Sequence, residues 1–146
     1  MRKRLPMLLV VTSLLLLPLA AYPGAQISTS QTFKTTFAFT AGNTTFPAGS
    51  YEVRPVDNET GVVQIMASPG GTPSAFVEVI GAKGKEKPGK SDIVFQKYGD
   101  KYLLKTIWDV SSGTGVTTVA THAEKMHAKS GAPTEHHVEA TPKAKS

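Results

Sequence analysis

Between residues 26 and 120 the apolar and polar positions alternate with a period of two. In QTFKTTFAFT, residues 31–40, Phe33, Thr35, Phe37 and Phe39 fall on one side of an extended chain, with Thr32, Lys34, Thr36 and Thr40 on the other. This pattern predicts a strand with a buried Phe face. YEVRPV repeats it, with Tyr51 and Val53 inward and Glu52 and Arg54 outward. Pro55 lacks a ladder donor, so that strand ends there, bulges or lies at an edge. VVQIMA, AFVEVIGA, DIVFQKY, KYLLKTIWDV and VTTVA read as further strands. Turn-formers separate them: AGNTTFPAGS, DNETG, SPGGTPS, a lysine-rich loop, Gly99-Asp100 and SSGTG. No window here sustains a 3.6-residue period, which predicts an all-β domain, an antiparallel sandwich or small closed barrel of about seven strands. Only THAEKMHAK, residues 121–129, suits a helical turn or two. Beyond Ser130, Val138 is the sole large apolar residue, so residues 130–146 are expected to form a disordered tail behind a single domain of residues 26–129. The expected core contains Phe37, Phe39, Val53, Ile65, Val77, Phe95, Leu104 and Trp108.

QKYGDKYLLKTIW, residues 96–108, holds the single Trp and two of the four Tyr. A two-residue Gly-Asp loop would set Tyr98 opposite Lys101, then Lys97–Tyr102, Phe95–Leu104 and Ile93–Thr106 on one face. Val94, Leu103 and Ile107 would share the other face. A three-residue loop would pair Tyr98 with Tyr102 instead. Apolar residues on both faces predict a central core hairpin, with a stacking or ligand-binding site as the competing reading.

The first residues follow a different rule. Arg2, Lys3 and Arg4 precede an almost unbroken apolar run, Met7–Ala21. Its 15 residues would span ~22 Å as a helix, against ~30 Å for a bilayer core. A basic start, a short apolar run and small residues predict a secretory signal peptide over residues 1–25, cut after Ala25 or after Ala21; an uncleaved anchor over residues 7–21 is the alternative. The expected location is periplasmic or extracellular.

Export also changes the charge argument. The chain has 16 Lys+Arg and 11 Asp+Glu, a net charge of +5; without Arg2, Lys3 and Arg4 the basic count falls to 13 and the net charge to +2. No nucleic acid partner is expected from that balance. The remaining excess lies in KGKEKPGK, where Lys83, Lys85, Lys87 and Lys90 are candidate anion contacts, or simply a solvated loop broken by Gly84, Pro88 and Gly89. The chain has no Cys, which excludes thiol chemistry, disulfides and Cys-based metal sites.

Little else points to catalysis. SSGTG does not spell a nucleophile elbow, which needs a strand-to-helix turn. His122, His127, His136 and His137 all lie at or beyond residue 122, outside the expected scaffold for a general base. EHHVE would bind a divalent ion only loosely. Asp57, Asn58 and Glu59 suit an Asx-type turn more than a Ca²⁺ loop. Two Asn-x-Thr sequons start at Asn43 and Asn58. No catalytic residue, cofactor or metal ligand is expected.

FAFTAGNTTFPAGSYEV and IVFQKYGDKYLLKTIW together resemble the paired signatures of a family of small exported bacterial proteins of unknown function. The resemblance covers roughly residues 35–120, with Phe46 where Leu is the usual residue and the lysine loop as an insertion. It implies export and an all-β domain, and brings no catalytic residues. These features converge on an exported envelope protein, a non-catalytic binding or structural β module. They leave the partner unknown, with another envelope protein or an anionic surface as candidates; the alternative function is a peripheral polyanion- or membrane-associated protein that uses the Lys83–Lys90 loop. A small hydrolase built from scattered carboxylates and Tyr ranks last.

Overall fold

The computed structural model describes residues 26–57, 59–82 and 89–143. Residues 1–25, where a signal peptide is expected, Asn58, and Lys83, Lys85 and Lys87 of the basic loop lie outside them. The described chain is all-β apart from one short helix. Its strands are β1 (Gln31–Thr35), β2 (Phe39–Ala41), β3 (Thr44–Phe46), β4 (Gly49–Pro55), β5 (Val62–Ala67), β6 (Ser74–Gly81), β7 (Asp92–Tyr98), β8 (Lys101–Asp109) and β9 (Thr114–Thr118). Then come α1 (His122–Ala128), β10 (Thr134–Glu139) and β11 (Thr141–Pro142).

These eleven strands form one open mixed sheet, ordered β10-β7-β8-β9-β6-β5-β4-β1-β11. Off that path, β2 pairs antiparallel with β3 and in parallel with β8. The expected count of about seven fails for two reasons. The run over residues 31–40 breaks after Thr35, because β2 turns away to pair with β3 through a tight Gly42-Asn43 turn, with Gly42 at φ +60°. The inward alternation survives the break: Phe33, Thr35 and Phe39 are all buried.

The second reason is the C-terminal segment, which is not a disordered tail. β10 pairs with β7 over six residues, from Thr134↔Lys97 to Glu139↔Asp92, and β11 pairs with β1. One continuous stretch therefore supplies both ends of the sheet's path and laces its two edges together. Ala140 between them is buried, and its N–H donates to the Ser91 carbonyl at 3.0 Å. Backbone pairing with β7 and β1, more than apolar content, orders this stretch, so composition alone misjudged it.

The core lies between the faces of the curved sheet and is led by aromatic rings. Phe39 stacks on Phe46 at 5.1 Å, and Tyr51 meets both rings edge-on. Val53, Ile65, Val77, Phe95 and Leu104 are buried as expected. Phe37 is half-buried and packs against this cluster. Trp108 is not in the core; it lies over Gly115 opposite it on β9, where an added Cβ would overlap the indole ring.

The hairpin uses the two-residue loop, with Tyr98↔Lys101, Lys97↔Tyr102 and Phe95↔Leu104. Beyond that pair the register shifts: Val94 faces Thr106 and Ile93 faces Ile107, so the expected Ile93–Thr106 pair does not form. Lys105 is the extra residue of a β-bulge. The bulge is needed because Leu104 and Ile107, three apart, both enter the core. Ile107 thereby leaves the face of Val94 and Leu103, which stay buried on the opposite side. Thr118 donates to the Leu104 carbonyl at 3.0 Å beside the bulge. The freed Lys105 ammonium meets Glu124 of α1 at 3.0 Å. Thr121 caps that helix, its hydroxyl accepting from the Glu124 N–H at 3.2 Å.

Candidate functional site

Of the four lysines expected to contact an anion, the described structure places Lys90 alone. Its ammonium lies 3.2 Å from Glu139 of β10, with both side chains largely exposed. Lys90 thus pairs with the C-terminal stretch while its ammonium stays exposed to solvent.

The most organised polar centre is one that sequence reasoning missed. Asp109 closes β8 at 1% exposure and gathers five donors. Its Oδ2 accepts from the Ser28 N–H at 2.9 Å, the Ser28 hydroxyl at 3.1 Å and the Thr29 N–H at 3.1 Å. Its Oδ1 accepts from the Gln31 amide at 3.0 Å and the Ser111 N–H at 2.9 Å. Burial by itself would raise the Asp109 pKa, but the Ser28, Ser111 and Thr29 hydrogen bonds outweigh it and hold the carboxyl below the ordinary Asp value. This carboxylate pins the segment carrying fully buried Ile27 against the end of β8. Every lone-pair direction is taken, so its role is structural. The Asp-x-Ser-Ser order could have suggested the local Asx turn; the partners some 80 residues away could not be read. SSGTG is the β8–β9 turn, with Gly113 at φ +65°, and no helix follows it directly.

His122 and His127 lie on α1, within the helical turn expected over residues 121–129, whereas His136 and His137 stand on β10, where a disordered tail was expected. His127 on α1 stacks on Tyr98 at 5.9 Å, and His136 on β10 meets Phe37 edge-on at 5.1 Å and Tyr102 at 5.6 Å. Phe37 and Tyr102 stack at 3.9 Å, and Lys97 lies 5.4 Å from the Tyr102 ring. The hairpin Tyr faces are therefore covered by the protein's own rings, which supports the core-hairpin reading over a stacking site.

His137 is on the scaffold, contrary to expectation. Its Nδ1 lies 2.6 Å from Asp92 of β7 and its Nε2 lies 3.4 Å from Glu135. The Asp92 hydrogen bond is the main cause of a raised His137 pKa, burial opposing it and the two carboxylate charges adding to it. Both ring nitrogens are engaged by carboxylates. The neighbouring Ser91 is buried, and its hydroxyl accepts from the Val110 N–H at 3.1 Å. A His–Asp pair is present; among the described residues, both its imidazole nitrogens face carboxylates and the neighbouring Ser91 hydroxyl is buried. Among the described residues no group of three or more His, Asp or Glu is placed to hold a metal ion.

Among the described residues, one exposed face is apolar. On β6 the side chains of Val77 and Val79 enter the core, so Phe76, Glu78 and Ile80 face out. Phe76 is 66% exposed, Ile80 57%, and Val119, whose N–H bonds the Glu78 carbonyl, 43%. Phe76 lines a groove of about 560 Å³ between the β2–β3 turn at Gly42-Asn43 and the start of α1 at Thr121-His122. AFVEVI is apolar on both faces, and that was the available signal. No family model, curated protein or solved structure matches the chain.

Proposed function

We propose that this chain is an exported envelope protein, a non-catalytic β module that binds another envelope protein through the outer face of β6. The observation that carries the reading is the exposure of Phe76, Ile80 and Val119 on one face beside the groove. Aromatic and branched apolar residues left open together mark interaction surfaces. The basic-then-apolar character of residues 1–25 supports export, and the resemblance of residues 35–120 to small exported bacterial proteins agrees with it. Among the described residues no helix is long and apolar enough to cross a membrane.

A photo-crosslinking residue placed at Phe76 in living cells tests the binding face. A discrete adduct, lost when the label moves to Arg54, is the expected result; no adduct beyond that control sinks the binding face. Export is tested separately by fractionation and N-terminal sequencing. A mature start near Gln26 in a soluble exported fraction is expected, whereas an intact start in the membrane pellet overturns cleavage.

A further inference from the structure

The C-terminal lacing is held differently from the rest of the sheet. β10 contributes Val138, half-buried, as its one apolar contact with the core, while Glu135, His137 and Glu139 line its outer face in the open. Beyond the backbone ladder, ion pairs hold the stretch: His137 between Asp92 and Glu135, Lys90 with Glu139, and Lys143 with Glu52 of β4 at 3.0 Å. Gly131 in the linker from α1 adopts φ +153°, and only Ala132 and Pro133 separate it from the strand.

We propose that residues 130–143 form a pH-controlled strap, clamped to β7 by protonated His137 and loosened when that imidazole becomes neutral, which uncovers the β7 edge. The geometry suits the doubly protonated ring: Nδ1 hydrogen-bonds Asp92, and Nε2 lies at ion-pair distance, 3.4 Å, from the Glu135 carboxylate. A neutral ring keeps one N–H, for Asp92, and turns a lone pair toward Glu135. It also leaves Asp92, Glu135 and Glu139 with less positive charge near them.

Among the described residues, no other ionisable group substitutes for this one. On β7, Lys97 lies at the far end over Tyr102. On β1, Lys34 lines a separate groove with Glu139 and Thr141. His136 points to the opposite face, against Phe37. Lys90 pairs with Glu139. The direction follows from linkage. A His whose folded pKa is raised holds the strap fully below the ordinary value of ~6.5 and loses that grip as pH rises through the raised value.

Amide exchange by NMR on the full chain, corrected for intrinsic rates between about pH 5.5 and about pH 8, tests this. Protection of the β10 amides should fall on the order of threefold across that range, the size of one exposed ion pair, while β4 and β5 amides hold constant. In His137→Gln the β10 protection should be flat. The His137 ring resonance should titrate above the ordinary His value in the unmutated chain, and Asp92→Asn should move that midpoint down. Unchanged β10 protection, an equal fall in His137→Gln, or His137 titrating at or below the ordinary value would each overturn the strap.

Discussion

Asp109→Asn changes one oxygen for an amide with almost no change in shape, so its effect isolates the five-donor site. Oδ2 serves three donors, from Ser28 and Thr29, and Oδ1 serves two, from Gln31 and Ser111. The new amide therefore settles with its oxygen toward the three and its NH₂ toward the two. Gln31 can relieve one clash by turning its own amide over, because its Oε1 is buried without a partner. That turn gives up its 3.2 Å bond to the Thr29 carbonyl and moves its NH₂ to the buried position where Oε1 had no partner. The Ser111 N–H has no such remedy and faces a donor. One unsatisfied donor costs about 1–3 kcal/mol, and three bonds to a charged acceptor become neutral ones at somewhat under 1 kcal/mol each, for a total of about 4–5 kcal/mol. With a urea dependence of about 1.5 kcal/mol per M, the unfolding midpoint should fall by about 3 M. Because the folded carboxyl has a lowered pKa, its contribution is complete above the ordinary Asp value and disappears as pH falls through the folded one. The gap between the two proteins should narrow on acidification. A midpoint within about 0.5 kcal/mol of the parent, where site and solvent effects are indistinguishable, or a gap independent of pH, would refute this account of Asp109.

Other substitutions test the packing. Phe95→Ala removes a fully buried ring that meets Phe37 and Phe39 at 5.2 and 5.1 Å and should cost about 3–5 kcal/mol in urea melts. Gly115→Val drives a branched side chain into the Trp108 ring and should cost about 1–3 kcal/mol, with a shift in the emission of this single Trp. Deleting residues 131–146 removes β10 and β11, buried Ala140 and half-buried Val138, and should lower stability by about 2–4 kcal/mol with a visible drop in Tm. A Tm unchanged by that deletion would mean the two strands add nothing to the sheet. Phe76→Ser should leave the urea midpoint within about 0.5 kcal/mol of the parent, since the side chain is two-thirds exposed.

Local order along the chain was legible because strand burial follows a period of two. The inward set Phe33, Phe39, Tyr51, Val53, Ile65, Val77, Phe95 and Leu104 could be read from residue type and spacing. So could the Gly99-Asp100 turn and the helical turn after Thr121, while Pro55 left an end, a bulge or an edge open and the structure ends β4 there. Each depends on residues within a few positions of one another. Long-range pairing decided the rest. The bulge at Lys105 exists because Leu104 and Ile107 must both reach a core assembled from other strands, and Trp108 is displaced outward as a result. Asp109 gains its partners from Ser28, Thr29 and Gln31, which lie far from it along the chain. The stretch TEHHVEATP becomes strand through the unpaired edges of β7 and β1 that receive it, and its own sparse apolar content gave no hint of that. A backbone edge offers hydrogen bonds to almost any extended sequence, so where such a segment docks is a property of the assembled sheet.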